Sequence, residues 1–406
     1  MSLTMPTRRD FVMASAACAL AKATSGQTRE RLYDILIKNG DVRDPVRGYQ
    51  ARADVAILDG KIAAIENAIP AEKGRDAIDA RGLYVVPGLV DLHTHVYYGG
   101  GAVPSIEPDP VAARSGVTTW VDAGSYGYDN FVGFRRYIVE RSQVRIFGFV
   151  FLYPASRNPD QDPVKYVRSV MRQTGEVASN NRDILLGVKV QIGSNMQGRY
   201  SMDFLKIARE LCDNYKLKLM VHVSDAPPEA PQIMELMRPG DIITHSYTGH
   251  GTALTDTQGR LKPGVAEARA RGVVFDLGHG LGSFNFAEAR KCLQAGFAVD
   301  TISTDLYALN IKGPVYDMPT TMSKLLYLGM SFEDVLLRST ANPAKVIGRV
   351  EGLGELRVGC PADVALLGLE DGEFRLVDSQ RNAVTARQRI VSRLTICRGK
   401  RLEAPL

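Results

Sequence analysis

The stretch Val90-Asp91-Leu92-His93-Thr94-His95-Val96 places two histidines two residues apart at the end of an apolar run. Alternate residues of a strand share a face, so both imidazoles point the same way. The 406 residues hold only 6 histidines. Two more, His222 in LMVHVSD and His245 in DIITHSYTGH, also follow short aliphatic runs. Lys189 in GVKVQIG and Asp305 in ISTDLYA sit in the same kind of position. Imidazole and carboxylate groups gathered at one rim of a barrel make a site for divalent metal ions.

Outward from that stretch the chain repeats strand, loop, helix. Strands are expected at Leu83–Leu92, Thr118–Ala123, Val144–Leu152, Ile184–Gln191, Leu217–Val223, Asp241–His245, Val273–Leu277 and Val299–Thr304. Amphipathic helical stretches intervene, among them Met202–Asn214, Pro263–Arg271 and Phe286–Ala295. Eight parallel strands alternating with helices are the rhythm of a TIM (β/α)8 barrel. In that fold all six candidate residues fall at carboxyl ends of strands, the face that carries the chemistry. The loops YYGGGAVPSIEPD and GSNMQGRYS are polar and glycine-containing, as befits segments over an active site.

The two ends read differently. Residues 33–86 alternate apolar and polar residues, with Asn39-Gly40 and Asp59-Gly60 as hairpin signals. Residues 355–369 and RQRIVSRLTICRGKRL near the end share that texture. The expected architecture is therefore α/β: a (β/α)8 barrel over 87–352 that carries the candidate metal residues, with a small β-sandwich built from 28–86 and 353–406.

Composition narrows the classes. Hydrophobic residues at 45% and charged residues at 23% are ordinary globular values. Arg8, Arg9 and Lys22 against Asp10 place +2 of the net +5 in the first 23 residues. The remaining basic residues are scattered, which speaks against a nucleic-acid partner. Residues 1–27 read as an export leader. Thr7-Arg8-Arg9-Asp10-Phe11-Val12-Met13 resembles a twin-arginine signal, an apolar run to Ala21 follows, and Ala21-Lys22-Ala23 is a cleavage candidate. Met1–Thr4, ahead of a second methionine, reads as a tag remnant. The run is about half of what roughly 20 residues of membrane helix need, so no stable membrane span is expected. Export to the periplasm is the expectation; the alternative is a cytoplasmic protein with a chance arginine pair. Cys212 and Cys292 fall in helical patterns and are expected in the core, and a Cys360–Cys397 disulfide is left open. Self-assembly into a homo-oligomer is likewise left open.

Lys189 is the odd member of the set. An ammonium ending an apolar strand beside metal cations is costly to bury. Either it pairs with a carboxylate, or it becomes neutral and reacts with carbon dioxide to give an anionic carbamate; a solvated surface lysine is the plain alternative.

The run Pro87-Gly88-Leu89-Val90-Asp91-Leu92-His93-Thr94-His95 resembles the amidohydrolase superfamily, together with GVTTWVDAG, the Lys189 strand, the two single-histidine strands and Ser303-Thr304-Asp305. Asn342-Pro343-Ala344 with Gly348, then GELRVGCPADVALL, is similar to that superfamily's return into its sandwich. The resemblance covers about residues 33–400, and its nearest branch is the dihydroorotase-like amidohydrolase/deacetylase group, to which STDLYALNIKGPVYDMPTTMSKL is especially similar. It implies two divalent ions, usually zinc. His93, His95 and Asp305 would hold one, His222 and His245 the other, with carboxylated Lys189 and a hydroxide between them. It further implies hydrolysis of a small amide or ester, with Asp305 shuttling a proton. N-acyl amino acids and O-acetyl 2-hydroxy acids are the substrates the branch suggests. Dihydroorotases typically carry an arginine two places after the second histidine; here that residue is Tyr97, which disfavours ring opening. A cyclic amidohydrolase, and more remotely a non-catalytic barrel scaffold, are the alternatives. His279, in FDLGHGLGSFNF, is a candidate to hydrogen-bond substrate, with His250, Arg157, Arg199 and Tyr307 as weaker candidates for substrate contact.

Overall fold

Gly88 is where the chain passes from one sheet to another. The expected strand at 83–92 is two strands: Tyr84–Pro87 belongs to a sheet made from the chain ends, and Leu89–Thr94 opens the barrel. A Cβ on Gly88 would lie 2.3 Å from Thr118 Oγ1, so only glycine fits at the crossing. The computed structural model describes residues 32–153 and 162–403. The leader, its cleavage candidate and Arg157 lie outside the described residues.

The strands, in chain order, are β1 (Tyr33–Asp44), β2 (Tyr49–Leu58), β3 (Lys61–Glu66), β4 (Gly74–Asp79), β5 (Tyr84–Pro87), β6 (Leu89–Thr94), β7 (Val117–Asp122), β8 (Arg145–Phe151), β9 (Leu185–Ile192), β10 (Lys218–Val223), β11 (Ile242–Thr244), β12 (Val274–Asp276), β13 (Val364–Val377), β14 (Ala383–Cys397) and β15 (Lys400–Arg401). Strands β6 to β12 form a parallel seven-stranded sheet in sequence order. The eighth segment, expected as a strand at 299–304, makes no continuous ladder. It closes the barrel through single bridges, Asp276 to Thr301 and Thr94 to Leu306. At its end Asp305, with a φ of 49°, leaves the extended backbone region. Its amide nevertheless donates to the His93 carbonyl at 2.6 Å.

Helices lie between the strands. The three expected stretches appear as α1 (Ser201–Tyr215), α2 (Val265–Ala270) and α3 (Phe286–Gln294). Apolar side chains pack two ways. Leu89, Val117, Trp120, Val188, Val190 and Leu219 join the helices in the large outer core, whereas Val90, Leu92, Val121, Phe149, Leu186, Met220 and Ile242 fill the barrel's inside. Helix α4 (Ala341–Ile347) closes the lower end through Ala344 and Ile347.

The end-derived strands make one eight-stranded sheet in the order β15-β14-β13-β5-β1-β2-β3, with β4 also pairing β1. It encloses its own core of Ile35, Ile37, Val55, Ile57, Val85, Val364, Leu366 and Ile396. The two hairpin signals part ways here. Asp59 and Gly60, with φ of 49° and 72°, do turn the chain between β2 and β3. Asn39-Gly40 instead sits in a bulge within β1, where the register to β2 shifts between Ile37 and Gly40. A buried ion pair, Arg145 on β8 with Asp363, ties the sheet to the barrel. Cys360 and Cys397 are free thiols, as are the buried Cys212 and Cys292, so the open disulfide pairing is not made.

Candidate metal centre

His93 and His95 converge on one carboxylate oxygen. Nε2 of each lies 3.3 Å from Asp305 Oδ1. The ligand atoms of these three residues all lie within 4.8 Å of one another. The pairing of β6 with β7 shifts register between Asp91 and Thr94. Below the shift Val90 and Leu92 join the inner apolar cluster, and above it the two histidines face the centre.

The protons can be placed on His93. Thr244 Oγ1 donates to Asp276 Oδ2 at 2.7 Å, so it must accept from His93 Nδ1, also at 2.7 Å. His93 Nε2 therefore carries an unprotonated lone pair, 3.3 Å from Asp305 Oδ1 and 3.1 Å from Lys189 Nζ. Two acceptors facing each other in a buried place repel unless a cation or a donor lies between them. This donor set, imidazole nitrogen and carboxylate oxygen, suits a divalent ion such as zinc, manganese or cobalt. His95 Nδ1 is engaged in turn by Ser125 Oγ at 2.8 Å.

Asp276 is the hub beneath. It accepts from Thr301 at 2.6 Å and from Ser303 at 2.7 Å besides Thr244. Asp91 takes the Thr304 hydroxyl at 2.5 Å and the Thr304 amide at 3.0 Å. Burial raises both carboxyls above the usual range, Asp91 to about 8. Asp122 accepts the amides of Gly124, Ser125 and Val96, which fixes the loop bearing Ser125. None of these was singled out from the sequence. The available signal was an aspartate at or near the end of three apolar strands, in VDLHTHV, WVDAG and VFDLGHG.

Lys189 is 2% exposed, so the solvated reading is overturned. Its Nζ lies 3.1 Å from His93 Nε2 and 3.6 Å from Met220 Sδ. Desolvation lowers its pKa to about 8, with Asp305, Asp276 and Asp122 opposing. A readily deprotonated amine among metal-binding groups is the form that reacts with carbon dioxide.

His222 and His245 form a second pair. His245 Nδ1 donates to the Gly278 carbonyl at 2.6 Å, and its Nε2 lies 2.8 Å from His222 Nδ1. His222 Nε2 is buried with no hydrogen-bond partner among the described residues. Burial holds His93 and His222 well below the ordinary histidine range and lowers His245 to about 4. All three are neutral, as ligands must be. The rings of His93 and His245 lie 5.0 Å apart, which links the two groups into one site.

The remaining candidates spread out. Tyr307 is half-buried with its ring centroid 6.0 Å from that of His95, the planes nearly perpendicular, and burial lifts its phenol to about 12, so it stays a donor. His279 is fully buried. Its Nδ1 meets the Gly280 carbonyl at 2.9 Å and its Nε2 meets Lys324 Nζ at 2.7 Å. His250 is partly exposed and bridges loops, with Asp225 Oδ1 and the Gly282 carbonyl each at 2.9 Å. Arg199 lies on the surface, bonded to the Tyr200 hydroxyl at 2.7 Å. Tyr97 turns away into an aromatic cluster with Tyr126 and Phe134, its hydroxyl 3.4 Å from the Asn130 carbonyl.

Lys324, on helix α5 (Met318–Tyr327), was not singled out either. It is fully buried, and burial lowers its pKa to about 7. The unfolded chain, with lysine near 10.4, binds this proton more tightly than the folded one. Stability is therefore expected to rise with pH between about 7 and 10. Replacing Lys324 by Met removes its part of that rise, read as denaturant midpoints across the window. Thr244→Val should leave the fold intact but free the His93 tautomer. Metal affinity is then expected to fall about 10- to 100-fold, measured by competition with a chelator; an unchanged affinity would show that the Asp276–Thr244–His93 chain does not prepare the ligand.

Comparison with known proteins agrees with this geometry. Residues 84–402 match the amidohydrolase family. A deacetylase of Agrobacterium fabrum is 36% identical over 338 residues, covering 81% of this chain and 82% of the relative. The solved structure of an adenine deaminase superposes with a TM-score of 0.82 at 30% identity, over 91% of this chain and 99% of its own. That of a dihydroorotase does so with 0.82 at 33% identity, over 91% and 97%. The chain belongs to the amidohydrolase family and is a hydrolytic enzyme of TIM-barrel architecture.

Proposed function

We propose that this protein is a binuclear metal-dependent hydrolase that removes an acyl group from a small amide or ester, an N-acyl amino acid or an O-acetyl 2-hydroxy acid. The observation that carries the reading is the set of unprotonated ligand atoms gathered at one barrel rim: Nε2 of His93 aimed at Asp305 Oδ1, with His95 beside it and His222 Nε2 partnerless. His93, His95 and Asp305 would hold one ion, and His222 and His245 the second. Lys189, as a carbamate, would serve both. Ions bound there supply a water acidified toward a pKa of about 7 and a Lewis acid for the substrate carbonyl.

The chain's own groups do the rest. Asp305, fixed by the bond from its amide to His93, takes up the proton of the attacking water and returns it to the leaving nitrogen or oxygen. Tyr307 Oη, protonated across the neutral range, donates to the substrate from beside His95. The Asp276–Thr244 chain keeps His93 in the tautomer that leaves Nε2 free. His279, held between Gly280 and Lys324, acts on the shape of the wall.

The deacetylase name of the Agrobacterium relative supports acyl removal, and Tyr97 supports it against ring opening. A dihydroorotase-like reaction wants a cation at that position; Tyr97 instead packs among Tyr126 and Phe134. We also propose that residues 1–27 direct export, so that the protein acts in the periplasm.

The test is a panel of N-acetyl amino acids and O-acetyl 2-hydroxy acids beside dihydroorotate and hydantoin, with the enzyme loaded with zinc. Turnover is expected on the acyclic acyl substrates; turnover on the rings alone would overturn the reading. In the same assay Lys189→Ala should lose at least one metal per chain and most activity, with part restored by added short-chain carboxylic acids. Metal content and turnover equal to the parent would refute the bridging role.

A further inference from the structure

The long hairpin of the end-derived sheet reaches far beyond its own core. Strands β13 and β14 run 14 and 15 residues. At about 3.3 Å per residue this is a span of roughly 45 Å. Only the half near Val364, Leu366 and Ile396 contributes to the sheet's own core. The distal half gives Leu376, Ala386 and Ile390 to the barrel core instead. The tip, Asp378–Asn382, then meets the loop that follows β12.

That meeting is dense in hydrogen bonds. The Ser379 amide donates to the Phe284 carbonyl at 2.9 Å, and the Phe284 amide donates back to Ser379 Oγ at 3.1 Å. Ser379 Oγ reaches the Gly280 carbonyl at 2.9 Å and the His279 carbonyl at 3.3 Å. Asn285 Nδ2 donates to Gln380 Oε1 at 2.6 Å, and the Phe286 amide donates to Asp378 Oδ2 at 3.2 Å. The loop is held on its other side by Lys324, through the His279 ring at 2.7 Å.

The gripped residues lie against the metal centre. The amides of His279 and Gly280 donate to the carbonyls of Ser303 and Thr304, at 3.2 and 2.9 Å. A Cβ on Gly280 would lie 2.5 Å from Asp305 Oδ2. The oxygen of Asp305 that does not face the histidines thus rests on the Gly280 backbone. Asp305 is in a left-handed conformation, φ 49°, so its own chain prefers other geometries and something outside must hold it.

We propose that the hairpin tip of the end-derived sheet, through Ser379, positions Asp305 for its proton transfer by clamping the His279–Gly280 backbone against it. Ser379 is a positioning residue; it touches neither substrate nor ligand. The proposal rests on the hydrolase reading above for its effect on turnover, though not for the clamp itself.

The test uses the full-length, metal-loaded protein and the variants Ser379→Ala, Ser379→Thr and Arg381→Gly. Arg381 lies in the same turn at φ 67°, where glycine is at ease, and serves as the control. In Ser379→Ala, amide exchange in residues 279–286 should quicken about tenfold while strand β10 is unaffected. Turnover on an acyl substrate should fall about tenfold with KM within twofold, since small misplacements of a reacting group cost this much or more. Ser379→Thr, which keeps the hydroxyl, should recover both, and Arg381→Gly should match the parent. Faster exchange with unchanged turnover would overturn the proposal, as would equal loss in the Ala and Thr variants or no change in exchange. Should the parent hydrolyse no acyl substrate, the hydrolase reading fails by itself. The clamp is then judged by zinc release to a chelator, which Ser379→Ala is expected to speed, and equal release rates would sink it.

Discussion

A carboxylate oxygen and an unprotonated imidazole nitrogen are held face to face, 3.3 Å apart, at the buried rim of the barrel. Neither acceptor offers the other a proton and little water is present to screen them, so they rely on neighbours such as the Lys189 amine, 3.1 Å from the nitrogen. Everything nearby holds them in place. Asp276 collects three hydroxyls, one of which fixes the proton of His93 on the far nitrogen. Asp91 ties the first strand to Thr304, one residue before Asp305. The arrangement stores the desolvation cost of a cation site before the cation arrives, which is how a protein obtains affinity and fixed geometry together.

The same constraint explains the irregular eighth segment. A regular strand at 299–304 would continue with extended backbone and carry the Asp305 side chain along the barrel wall. The left-handed turn at Asp305 delivers the carboxylate to His93 and His95, while its amide still finds the His93 carbonyl. Barrel closure and ligand delivery share one stretch of backbone, which two bridges and backbone bonds such as His279 N to Ser303 O and Asp305 N to His93 O join to its neighbours.

This dependence on neighbouring segments also marks where the sequence was readable. Strands β7 to β12 and helices α1 to α3 follow hydrophobic runs, a local property, and they lie within a residue or two of their expected places. The ligand types stood out because histidine is scarce and each one followed an apolar run. What the local pattern could not carry was anything set by distant partners. The run at 83–92 is mostly apolar with Pro87-Gly88 as its local break signal, and the close approach of Thr118 explains why glycine stands at the crossing. Asn39-Gly40 has the composition of a turn, yet β2 continues alongside and converts it to a bulge. Lys324 sits in an unremarkable helical stretch, and its burial depends on His279, 45 positions away. Ser379 reads as a turn serine; its partners are about a hundred residues upstream.

Reaction choice is a different layer of the structure from the ligand cluster. An adenine deaminase and a dihydroorotase superpose on this chain with the same TM-score, 0.82, so backbone likeness alone cannot select a substrate. What differs among such enzymes must lie in side chains that surround the ligands. Here the position two after the second histidine is turned into an aromatic cluster, and Tyr307 stands beside His95 as an uncharged donor. A neutral donor discriminates by hydrogen-bond geometry rather than by charge. In the proposed reading the two tyrosines, one withdrawn and one presented, are what separates acyl hydrolysis from ring opening.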